Sequence, residues 1–158
     1  MQNRTPSTSA GLAAGFLAGL AGSAAKAAAE AVYPPRIEGQ KPPPVVLVRK
    51  IAGHRLGRRS EARAMKYIHY GFGALVGAAY GWLAEYHPRV TAGSGALFGA
   101  SLNLMTHETT LPLLGLSDSP LKQKPREQVS EAVTHVVFGV AVELTRRLLR
   151  SKVFHKRA

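Results

Sequence analysis

Eight ionisable residues lie within or beside largely apolar stretches of this chain: Lys26, Glu30, His69, Glu85, His107, Glu108, His135 and Glu143. An ionisable group at membrane depth is costly and marks a functional site by default. Imidazoles change charge near neutral pH, and carboxylates accept protons or cations. Together such groups could relay protons, sense acid or hold an ion such as Zn²⁺. Each also has a plain structural explanation. Lys26 can carry its ammonium toward an interface and pair with Glu30 one turn on. A neutral histidine is tolerated wherever it is hydrogen-bonded. Ordinary polar packing ranks first, a proton-responsive site second and a metal site third, because no local spacing joins the histidines. No metal and no cofactor is assigned. The sequence holds no HExxH, P-loop, GxGxxG or GxSxG motif, so the expectation is a protein that is not an enzyme.

These residues need elements to place them. The 158-residue chain has no cysteine and a net charge of +12, from 21 Lys+Arg against 9 Asp+Glu. Three windows carry no Lys, Arg, Asp or Glu: Thr5–Ala25, Tyr67–Ala84 and Val90–His107, of 21, 18 and 18 residues. A bilayer core about 30 Å thick takes roughly 17–25 such residues as a helix. The expected fold is all-α, a single multi-pass membrane bundle of about four helices over 10–32, 61–86, 90–111 and 126–151. Ser9 is the expected cap of the first, and Pro34-Pro35 its stop. The first helix continues through Lys26 and Glu30, which argues against a cleaved signal. The fourth has a charge-free core of only 11 residues, Ala132–Val142, and reads as a shorter amphipathic helix packed on the others or lying at the interface.

Residues 36–60 form a basic connector, extended at Pro42-Pro43-Pro44 and amphipathic after it. Anionic lipid head groups are its expected partner. No aromatic interleaving accompanies the charges, which argues against nucleic acid. The positive-inside rule, applied to three spans, puts the connector and the region after the third helix in the cytoplasm.

Glycines recur every fourth residue: Gly11, Gly15 and Gly19; Gly73, Gly77 and Gly81; Gly95 and Gly99. In lipid, such small residues let helix backbones approach closely. They serve contacts within one chain or between copies, and a homo-oligomer is an expected partner state. A weak echo links Glu61, His69, Phe72 and Gly73 to Glu127, His135, Phe138 and Gly139, as in two related hairpins. Alternating helix direction sets Lys26, Glu30, His69, His107, Glu108 and His135 toward one membrane face, and Glu85 and Glu143 toward the other.

At AGFLAGLAGSAAKAAAEAVYPPR, at the His69-to-Pro88 stretch ending AEYHP, at His107 with LPLLGL, and at SEAVTH with ELTRRLLR, the chain resembles the YagU-like family of small bacterial inner-membrane proteins. Matching positions are Lys26, Glu30, Pro34, Pro35, Arg36, His69, Glu85, Pro88, His107, Pro112, Gly115, Glu131, His135, Glu143, Arg146 and Arg147. The connector is shorter and more basic than usual for the family. The resemblance implies a multi-pass inner-membrane protein and supplies no reaction, substrate or cofactor. The functional expectation is a structural or regulatory membrane protein responsive to pH. The alternative is a proton or ion channel or transporter that uses the His/Glu cluster.

Overall fold

The computed structural model describes residues 5–35 and 41–154, and all regular structure within them is helical. Arg36, in the family pattern, and the first part of the connector lie outside the described residues. Helix α1 spans Thr8–Val32. Its cap is Ser7, not Ser9: Ser7 has an extended backbone, and its hydroxyl accepts from the Ala10 N–H. Gly11 N–H already bonds to Ser7 O, so the first helical turn closes before Ser9 can flank it.

The connector contains a helix that the sequence reading missed. Helix α2 spans Pro43–Ala52, with both prolines in its first turn. A residue there has no intrahelical N–H partner to lose, and proline's fixed φ suits the position, so only Pro42 stays extended. Gly53, at φ 70°, ends the helix in the left-handed region.

Helix α3 spans Arg58–Tyr86, 29 residues, and ends ahead of Pro88. The expected helix over 90–111 is broken at both ends. Pro88–Gly95 is a 3-10 segment bent where Gly93, Ser94 and Gly95 all have positive φ. Regular helix α4 covers Ala96–Met105, then gives way to a π-helical turn at Thr106–Thr110 and a short α5 at Leu111–Leu113. Pro112 donates no hydrogen bond there, and its ring would crowd the carbonyl of Glu108. The Thr109 and Thr110 hydroxyls take the carbonyls of Leu104 and Met105, five residues back. Helix α6 spans Pro125–Lys152, 28 residues, and begins where the Glu127 carboxylate accepts from the Lys124 N–H.

Helix α1 runs antiparallel to α3 through its glycines. A methyl group added to Gly77 would lie 2.5 Å from Gly15 O and 2.6 Å from Gly19 Cα, and one added to Gly81 2.7 Å from Gly15 Cα. Helices α4 and α6 meet likewise, where a methyl on Gly139 would lie 2.6 Å from Gly99 N and 2.8 Å from its Cα. Gly139 thus occupies in the second hairpin the place of Gly77 in the first. That register is one helical turn from the sequence echo, which paired Gly73 with Gly139. Gly11, Gly19, Gly73, Gly95 and Gly99 also sit where a side chain would strike the facing helix.

The bundle interior is small or polar. Ala18, Tyr80, Phe138 and Val142 form its apolar centre, with Tyr80 stacked on Phe98 at 4.2 Å. Lys26, Glu131, His135, Glu143, Arg146 and Arg150 are buried, while Phe16, Leu75, Leu97, Leu104, Leu144 and Leu148 are exposed. Among the described residues, α1 alone is long and apolar enough to cross a membrane by length and composition. Of the three spans expected from the sequence, this criterion picks out the first. The regular part of α4 has only 10 residues, and α6 carries charges along its inner face. Of the two placements expected for the fourth helix, α6 takes the one packed on the others. It packs on α1 and α4 from Glu131 to Glu143, and its Arg150 reaches Glu85 of α3 at the end of the bundle opposite α2.

Candidate functional site

Two polar networks sit at opposite ends of the bundle. At the connector end, Lys26 points inward from α1. Its ammonium donates to the Glu30 carboxylate, to Glu131 Oε2 at 3.3 Å and to Thr134 Oγ1 at 3.2 Å. Glu131 and His135 are one turn apart on α6 and share a face. His135 Nδ1 lies 2.8 Å from the Glu131 carbonyl. A carbonyl only accepts, so Nδ1 carries the proton, and Nε2 holds the lone pair of the neutral ring. From the π-helical turn, His107 brings Nδ1 to 3.4 Å from Glu131 Oε1. The two imidazole rings meet edge to face at 4.8 Å. Ser130 Oγ donates to Tyr33 O at 2.6 Å and ties α6 to the last turn of α1. A cavity of about 480 Å³ opens beside this network, bounded by His107, Glu131, Glu127, Lys41, Asp118 and Gln123.

Of the expected cluster, Lys26, Glu30, His107 and His135 converge. His69 is at the same end but turns to α1, where its Nε2 donates to Ser23 O at 3.1 Å. Glu108 is half-buried on the π-helical turn and is not part of the ligand-type group of His107, Glu131 and His135. Glu131, at the centre, was absent from the expected cluster. Its signal was the four-residue step to His135, which puts both on one helix face.

At the far end, Glu143 is fully buried. Tyr80 OH donates to its Oε2 at 2.9 Å, Arg146 Nε to Oε2 at 2.7 Å and Arg146 Nη2 to Oε1 at 3.0 Å, with Arg147 also donating to Oε1. Glu85 is held by Arg150 through Nε at 2.6 Å and Nη2 at 2.7 Å, and by the Ser7 N–H at 3.0 Å. Arg146 Nη1 lies 4.0 Å from Glu85 Oε1, so one guanidinium touches both carboxylates. The two carboxylates expected at the opposite face therefore belong to one network spanning α1, α3 and α6. Sequence reasoning left Tyr80, Arg146, Arg147 and Arg150 out of that site. Glu143, Arg146, Arg147 and Arg150 follow the three-and-four spacing of a single helix face, which is the signal that points to them.

The profile of a family described as a protein of unknown function (DUF1440) matches residues 20–144, most of the chain and most of both networks. The chain belongs to the DUF1440 family. The DUF1440 match takes in Lys26, His107, Glu131, His135, Tyr80, Glu85 and Glu143, and stops before Arg146. The chain is similar to inner membrane protein YagU of Escherichia coli (strain K12), at 35% identity over 89 residues. Those residues are 56% of this chain and 43% of that relative, so the DUF1440 chain matches less than half of the relative's length. No solved structure matches it.

Proposed function

We propose that this protein is a multi-pass inner-membrane bundle with a structural or regulatory role rather than an enzymatic one. In it, α1, α3, the α4 region and α6 all cross the bilayer. The observation that carries this reading is the inverted burial. Full ion pairs are inside, and large aliphatic and aromatic side chains are outside. Water favours the opposite arrangement; lipid favours this one. The outer face of α6 supports it, since Val129, Val133, Leu144 and Leu148 are exposed while Glu131, Glu143 and Arg146 turn inward. The similarity to an inner membrane protein points the same way.

The connector end is the basic one, and three of the far-end arginines, Arg146, Arg147 and Arg150, are committed to Glu85 and Glu143. The positive-inside rule then places the connector in the cytoplasm and both chain ends across the membrane. Ile51, exposed on α2, together with Arg55, Arg58 and Arg59, suits contact with anionic head groups. Reporter fusions after Ser60 and after Ala158 are expected to give opposite readings, cytoplasmic at the first. Two cytoplasmic readings would overturn the four-span arrangement and restore an interfacial α6.

A channel or transporter would require a polar path joining the two networks. Ala14, Ala18, Phe138 and Val142 lie buried between them and favour the structural role. Acid response is tested separately, by following helix-to-helix distances between neutral and acidic pH.

A further inference from the structure

We propose that His107, Glu131 and His135 form a binding site for one divalent transition-metal ion. The three residues each offer a ligand atom, and those atoms lie within 4.8 Å of one another. They come from two different elements, the π-helical turn after α4 and the first half of α6, so only the tertiary fold assembles them.

One ligand pair already has the spacing of a small ion, and side-chain rotation of His135 would close the rest of a group that lies within 4.8 Å. Two ligands each about 2.0–2.1 Å from a common tetrahedral centre lie about 3.4 Å apart. His107 Nδ1 and Glu131 Oε1 are separated by 3.4 Å. His135 Nδ1 is held by the Glu131 carbonyl at 2.8 Å and lies 3.6 Å from Glu131 Oε2, so an ion would take the other ring nitrogen, Nε2. Metal-binding histidines commonly anchor their second nitrogen in this way. The π-helical turn itself is a rare distortion that recurs at functional sites, and it carries His107.

Charge permits a cation. Lys26 is 3.3 Å from Glu131 Oε2, yet its ammonium is also bonded to Glu30. The adjoining cavity reaches His107 and Glu131, and gives a hydrated ion a route in and a fourth ligand position. Two imidazoles and one carboxylate select Zn²⁺ or Co²⁺ over Mg²⁺ or Ca²⁺, which prefer all-oxygen shells.

The test uses the full chain purified in detergent, stripped with a chelator and titrated with Zn²⁺ and, separately, Co²⁺. One ion per chain is expected, with the visible spectrum of tetrahedral Co²⁺ lost on adding Zn²⁺. His107→Ala and His135→Ala should each weaken binding by about tenfold or more. His54→Ala and His87→Ala, at exposed positions, should leave it unchanged. Should the core variants fail to fold, X-ray absorption of the Zn²⁺-loaded wild-type protein decides, with two imidazole ligands expected. Absence of saturable binding, fewer than two imidazoles, or binding lost in His54→Ala or His87→Ala but kept in His107→Ala would overturn the site.

Discussion

Glu143 shows what a buried charge demands. Its carboxylate has no exposed surface and receives donors from Tyr80, Arg146 and Arg147. Bidentate Arg146 supplies the geometry that makes such a pair tolerable away from water. Removing one partner leaves the other charge buried without compensation, at about 3–5 kcal/mol. Glu143→Ala is therefore expected to lower unfolding stability in detergent by about that amount. Arg147→Ala should cost less than about 1 kcal/mol, because the Arg147 side chain is 50% exposed and Arg146 still serves Glu143. Denaturant unfolding of both variants checks the ranking, and equal losses would contradict the central role of Arg146.

At the scale of elements, α1 and α3 are held by backbone proximity. Gly77→Leu would drive a side chain into Gly15 and Gly19 and is expected to separate the two helices. Leu75→Ile, at an exposed position two residues away, should be mild. Thermal unfolding and protease resistance in detergent distinguish them. A second element-scale contact joins α2 to α3. Arg49 donates to both carboxylate oxygens of Glu61, at 2.7 Å from Nη2 to Oε2 and also from Nε to Oε1. The hydrogen bond from Arg49 holds the Glu61 carboxyl below its ordinary value of 4.5, with the Arg49 charge adding to the effect against the opposing cost of desolvation. A depressed carboxylate pKa stabilises the contact above the ordinary value and loses that contribution as pH falls through the lowered one. Docking of α2 should therefore persist from neutral pH to about pH 4.5 and weaken only under stronger acid. Hydrogen exchange of α2 against pH checks this, and Glu61→Gln should abolish the pH dependence.

Across the whole molecule, inverted burial predicts where lipid touches the protein. The chain has no cysteine, so single cysteines can be introduced freely. A spin label at Leu104→Cys or Leu144→Cys, both exposed positions, should be relaxed by lipid-soluble oxygen and shielded from a water-soluble relaxation agent. Strong relaxation by the aqueous agent at both sites would contradict the membrane-embedded bundle.

Much of the helical architecture was legible in sequence because its causes are local. Charge-free windows, Pro34-Pro35 and Pro88 mark where helices run and stop, and Lys26 and Glu30 pair within one helix by spacing alone. The glycines of the four-residue steps sit at the close approaches of α1 to α3 and of α4 to α6. The first-turn prolines of α2 and the bend at Gly93–Gly95 were missed. The same residues that break helices elsewhere can open one at its first turn, and positive φ at three successive residues is chosen by packing. Only the tertiary structure decided which polar groups meet. Glu131 joins His107 and His135, while His69 turns to Ser23 O, and Glu85 and Glu143 share Arg146. The physical reason is that helix direction fixes depth, but rotation about each helix axis fixes partners. That rotation is set by all the interhelical contacts at once, here the close approach of Gly77 to Gly15 and of Gly139 to Gly99.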